Sequence, residues 1–140
     1  MKLAHVPLRL ATGAFILNSG LSKRGLEGED AAGLQGMAAQ AVPSLGEMDP
    51  AKFAKLLSTG EIALGAALLA PFVPSFLAGA GLAAFAGGLL RLYWKVPGLR
   101  QPGDIRPTQD GIGIAKDVWL VGAGLTLALD DLIGRRPSKD

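Results

Sequence analysis

A carboxylate set inside an apolar run is the first feature of this chain that could do chemistry. Glu61 stands near the start of a 37-residue stretch, Thr59 to Lys95, whose only other charges are Arg91 and Lys95. An ionised acid in apolar surroundings needs a partner or a wet cavity, so Glu61 predicts a paired, inward-facing site. The cations that could meet it are Lys23, Arg91 and Lys116. Asp117 adds a second carboxylate, and Asn18, Ser19 and Ser22 add short polar groups. Such a set could hold the polar head of an amphiphile, or it could be an ion pair that locks helices into register. Both readings stand at this point. No residue has the neighbours that a catalytic nucleophile or a metal needs. With no cysteine and one histidine, His5, the chain has no disulfide, thiolate metal site, CxxC pair or bis-histidine haem.

The elements that must position these groups follow from the apolar pattern. Ile62 to Leu90 carries no charge, so a helix made from it has no charged face. Pro71 and Pro74 break the run near its middle. Two apolar helices of about 17 to 20 residues result, long enough for a hydrocarbon core about 30 Å thick. The whole chain predicts four spans, at about 7–23, 56–70, 75–93 and 114–129. The first competes with a signal peptide, but Pro7 and Arg9 interrupt the apolar region and no A-x-A site follows, so a retained span is expected.

Between the first two spans, residues 24–55 form a polar loop. Leu34, Met37, Ala38, Ala41 and Val42 recur there at helical spacing, and Asp49-Pro50 reads as an N-cap followed by a first helical residue. Residues 96–111 hold Pro97, Pro102 and Pro107 and read as an irregular loop. The polar tail from Asp130 is expected to fray.

Four spans in sequence bring the end of the first, the start of the second, the end of the third and the start of the fourth to one side. That topology gathers Asn18, Ser19, Lys23, Glu61, Arg91, Lys116 and Asp117 at one depth. Tyr93, Trp94 and Lys95 read as interfacial anchors. Arg9 is expected as an anchor at the opposite face, within reach of Asp130 or Asp131, and His5 is expected in the interface. Gly79, Ala83 and Gly87, and likewise Ala63 and Ala67, repeat every four residues and predict close helix seams.

The expected fold is all-α: one domain, residues 1–140, an integral membrane four-helix bundle with a long, partly helical loop between the first and second spans. Composition agrees. Hydrophobic residues make up 49% and charged residues 19%, and mean hydropathy is +0.34. The net charge is only +2, with no basic run or aromatic-interleaved patch, so no nucleic-acid partner is expected.

Three motifs resemble the DoxX family of small four-helix membrane proteins. Arg9-Leu10-Ala11-Thr12-Gly13 leading to Ser19-Gly20-Leu21-Ser22-Lys23 is similar to that family's first helix. Gly60-Glu61-Ile62-Ala63-Leu64-Gly65 resembles its acidic second-helix start, and Lys116-Asp117-Val118-Trp119-Leu120-Val121-Gly122 its fourth-helix start. The long first loop departs from the family pattern. The resemblance implies an accessory or anchoring subunit of a membrane-bound oxidoreductase complex, respiratory or oxidative-stress, without redox centres of its own and not catalytic alone. Carried over residue by residue, it singles out Arg9, Ser19, Lys23, Glu61, Lys116 and Asp117. The alternatives are a protein that binds a quinone or lipid headgroup through the polar cluster around Glu61, and a small transporter. Expected partners are the bilayer and other membrane subunits, with a homo-oligomer compatible. The expected location is the cell inner membrane, crossed several times, and the expected ligand is a quinone or lipid, not a covalent or metal-held cofactor.

Overall fold

The computed structural model describes residues 2–134. Among them the chain is all-helical. The α-helices are α1 (Val6–Ser22), α2 (Gly28–Ala41), α3 (Pro50–Leu69), α4 (Ser75–Lys95), α5 (Ile112–Ala115) and α6 (Val118–Gly134). Local chemistry sets the main boundaries. Asp49 caps α3, its carboxylate accepting from the Lys52 amide at 3.3 Å, and Pro50 opens the helix. The Pro71–Pro74 turn separates α3 from α4. The part-buried Phe76 amide at the start of α4, which has no helical acceptor, donates to Asp131 at the far end of α6 (2.9 Å).

Two helix pairs make the body: α1 lies along α3, and α4 lies along α6. They share a core of Ile16, Leu68, Ala78, Leu82 and Leu127. Glycine permits both close approaches. A Cβ on Gly65 would lie 2.6 Å from the Leu17 amide nitrogen, and one on Gly79 would lie 2.5 Å from the Gly124 carbonyl oxygen. The small-residue seam of α4 is therefore found at Gly79 and Ala83, which face Gly124. Gly87 faces open space and Ala63 is exposed. The expected Ala63–Ala67 seam is replaced by Gly65, because the inward face of α3 runs through Ser58, Glu61, Gly65 and Leu68.

A leucine at Gly79 should push α4 off α6. Overpacking of this kind costs about 1–3 kcal/mol. Thermal unfolding in mild detergent should show a clear loss for Gly79→Leu and none for Gly87→Leu, where a Cβ has nothing within 4 Å. Equal melting of the two variants would disprove the seam.

Among the described residues, two helical segments are long and apolar enough to cross a membrane, Ser75–Lys95 and Ile112–Gly134. The other two expected spans fall short as isolated helices. α1 has 17 residues and contains Arg9, and α3 carries Lys52, Lys55 and Glu61. α3 begins at Pro50, as the Asp49-Pro50 signal predicts, and so enters the span expected from 56 already helical. The last helix differs too. It breaks at Lys116–Asp117 and continues to Gly134, so residues 130–134 are helical where fraying was expected; the remainder of the tail lies outside the described residues.

The loop after α1 is mostly helical: α2 and a 3-10 turn at Pro43–Glu47, packed on α3 and α4. Gln35, buried, fastens this unit by donating to the Leu45 carbonyl (2.8 Å) and to that of Met48. Residues 96–111 are closed by a bridge between Arg100 and Pro107. Within that loop Arg106 holds the Asp104 carboxyl below its ordinary range by side-chain and backbone hydrogen bonds.

Candidate functional site

Lys23 and Glu61 form the centre of the site, and the close approach of α1 to α3 places them. Gly20 has no side chain where one would lie 2.8 Å from the Ile62 nitrogen, and Ser58 Oγ donates to the Gly20 carbonyl at 2.7 Å. With the helices clamped there, Lys23 at the end of α1 lies over Glu61. Its ammonium meets the two carboxylate oxygens at 3.1 and 3.0 Å, and Ser19 Oγ at 2.6 Å. Glu61 is 3% exposed. A buried acid is thus matched by a cation, which the Ser19 hydroxyl holds in turn.

Of the three candidate cations, only Lys23 reaches Glu61 among the ion pairs of the described residues. Arg91 is spent elsewhere: its Nε donates to the Ala41 carbonyl (3.0 Å), fastening the C-terminus of α2 to α4. Lys116 lies beside an opening between α1 and α6, away from the pair, and Asn18 is on α1 without a place in the site.

A cavity of about 510 Å³ adjoins the pair. Phe15 of α1, Met37 of α2, Phe53 and Leu57 of α3, Phe85 of α4 and Leu120 of α6 are among its walls. Among the described residues its polar side chains are Ser19, Lys23, Glu61 and Asp117. α2 therefore covers the cavity, which gives the amphipathic segment of the loop its role. Two smaller openings adjoin it. One, between α3 and α4, shares Glu61, Phe53 and Phe85. The other, between α1 and α6, shares Phe15, Asp117 and Leu120. The size and lining suit a small organic molecule with an apolar body.

A second polar assembly lies at the other end of the helices, and it corrects two expectations. Arg9 is 1% exposed, so it is no interfacial anchor. Its guanidinium donates to the carbonyls of Leu68 (2.8 Å), Val73 (2.9 Å), Ala67 (2.8 Å) and Ala70 (2.9 Å), and to Ser75 Oγ (3.0 Å). These are the acceptors that the end of α3 and the proline turn leave without helical partners. His5, expected in the interface, is also buried. Its Nδ1 meets Ser75 Oγ at 2.9 Å and its Nε2 meets Asp130 Oδ2 at 2.6 Å. Lys2 completes the chain of contacts on Asp130 at 2.8 Å. The sequence carried only half of the signal for this assembly: an arginine inside an apolar helix needs buried acceptors, but nothing in it marks which carbonyls supply them.

Tyr93 is also no exposed anchor. It is buried, and its hydroxyl donates to the Ile105 carbonyl. Trp94 and Lys95 are placed at the end of α4, and the Arg100 guanidinium stacks 3.8 Å from the centre of the exposed Trp94 ring. Among the described residues, no group of three histidines or carboxylates is placed to hold a metal. Compared with protein-family profiles, curated proteins and solved structures, the chain matches none.

Proposed function

We propose that this chain is a four-helix protein of the cell inner membrane that holds a quinone or another lipid-like amphiphile between its two helix pairs. The observation that carries this reading is the cavity of about 510 Å³, apolar except for Ser19, Lys23, Glu61 and Asp117, with lateral openings between α3 and α4 and between α1 and α6. An amphiphile can enter such a site sideways from lipid and keep its chain in apolar surroundings. α1 and α3 join α4 and α6 as spans in this reading because their inner charges are compensated: Arg9 by five hydrogen bonds and Glu61 by Lys23. The motif resemblance to DoxX proteins supports the four-span membrane placement.

The test is native mass spectrometry of the chain released from lipid nanodiscs. The wild type should retain one amphiphile per chain. Gly88 lines the cavity, and a Cβ there would have nothing within 4 Å, so Gly88→Trp should fill the space without moving the helices. That variant should melt as the wild type does and come out empty. Equal retention by both would sink the proposal.

A second reading, an accessory subunit of an oxidoreductase whose redox centres lie on its partners, draws on the outer face of α6. Trp119 there is 72% exposed and Ile133 is 63% exposed, with Val118, Leu125 and Leu129 also uncovered. A partner helix could cover that face. Co-purification with haem, flavin or iron–sulfur subunits from native membrane would support it, and a chain recovered alone would count against it.

A further inference from the structure

The amphiphile reading leaves open which head the cavity takes, and the hydrogen bonds already made by its walls bear on that. A lysine ammonium has three protons to give. Those of Lys23 are directed at Glu61 Oε1, Glu61 Oε2 and Ser19 Oγ, so none is left for a ligand. Each Glu61 oxygen accepts from that ammonium, and the charges of the pair cancel. Ser19 accepts from Lys23, which leaves its hydroxyl proton to donate.

Asp117 differs from the rest. Among the described residues its carboxylate makes no hydrogen bond or ion pair, and its neighbour Lys116 acts on it only through space. It is only partly exposed, and it lines both the central cavity and the α1–α6 opening. A ligand moving through that opening passes this acceptor on its way to the cavity.

Among the described residues, the walls therefore offer one carboxylate without a partner, Asp117, and one neutral donor, Ser19. A hydroxyl can donate to such a carboxylate and can accept from such a serine. An ether or a ketone can only accept and would leave Asp117 without a hydrogen bond, so of a quinone couple only the reduced, hydroxyl-bearing form fits. A carboxylate or phosphate would meet the Asp117 charge with its own. Resting on the amphiphile reading, we propose that the cavity takes a hydroxyl-headed amphiphile, and that Asp117 is the residue that receives the hydroxyl proton as a hydrogen bond.

The experiment uses the full chain in uncharged phosphocholine nanodiscs. Its probes are hexadecan-1-ol carrying a diazirine near the head, and the methyl ether, carboxylate and amine of the same chain. Labelled sites are mapped by peptide mass spectrometry, with excess unlabelled hexadecanol as competitor. The alcohol should label the segments around Phe15 and Asp117 competitively, at least about tenfold more than the ether, the loss expected for one hydrogen bond to a charged group. Asp117→Leu should bring alcohol labelling down to the ether's level. Asp117→Asn, which keeps a neutral acceptor, should label between the two levels and certify that the site still folds.

Equal labelling by alcohol and ether, or an unchanged signal in Asp117→Leu, would overturn the assignment while leaving the amphiphile reading intact. So would preferential labelling by the amine, which would make the head a cation, or by the carboxylate. If no probe gave labelling that competitor removes, the amphiphile reading itself would fall with it.

Discussion

Arg9→Leu should yield no folded protein from a preparation that gives the wild type in quantity. An arginine has five N–H donors, and all five of those on Arg9 are bonded. Four go to main-chain carbonyls at the end of α3 and in the turn that follows; that of Ala70 also accepts from the Val73 amide (3.2 Å), so three depend on Arg9. Leucine fills similar apolar volume but returns nothing to those carbonyls. An orphaned buried acceptor costs about 1–3 kcal/mol. Some of these carbonyls are only part-buried and would recover water, so the lower part of that range applies to them. Even so, the sum approaches the total stability of a domain this size, about 5–15 kcal/mol. The α3–α4 turn would lose its anchor, and with it the seat of Ser75, His5 and Asp130. Arg9→Lys keeps the charge and three donors, and should give a folded chain with a lowered melting temperature. Size-exclusion profiles and thermal scans in detergent would check both. A monodisperse Arg9→Leu protein melting within a few degrees of wild type would refute this account.

The contrast between Arg9 and Glu61 shows what the amino-acid pattern could and could not reveal. Helix limits set by side chains were legible: Asp49-Pro50 opens α3, and Pro71 with Pro74 separates α3 from α4. The need of Glu61 for a cation was legible as well, because a lone acid in an apolar run states its own requirement. Which cation answers was not. That depends on α1 pairing with α3 through Gly20 and Gly65, a contact between backbones that any small-residue repeat could mimic. Ala63 and Ala67 were such mimics, with the right spacing on the wrong face. The role of Arg9 was hidden for a related reason. Its partners are mostly carbonyls, which every residue carries, so no letter in the sequence marks them. Arg91 was drawn from the Glu61 cluster in the same way, by the carbonyl of Ala41 at the end of a helix within a polar loop.

Lys23→Met should be the most damaging change near the cavity, and a second substitution should repair it. It leaves Glu61 buried at 3% exposure with no cation, and breaking a buried pair from one side costs about 3–5 kcal/mol. Glu61→Leu should cost less, because the Lys23 side chain is 21% exposed and its ammonium can turn towards water. Lys23→Met combined with Glu61→Leu removes both charges and fills the space with apolar atoms, so its stability should return to within about 1 kcal/mol of wild type. Denaturant unfolding of the four proteins closes the cycle, and additive losses would show that the pair contributes no coupling. The double variant then separates lock from ligand contact. If Asp117 holds the ligand head, a chain lacking both Lys23 and Glu61 should still carry its amphiphile in native mass spectrometry. Loss of the ligand from a fully stable double variant would place the head on the pair instead. Retention would mean that Glu61, the most conspicuous polar residue in the sequence, serves to hold α1 against α3, and that the chemistry of recognition belongs to the carboxylate of Asp117.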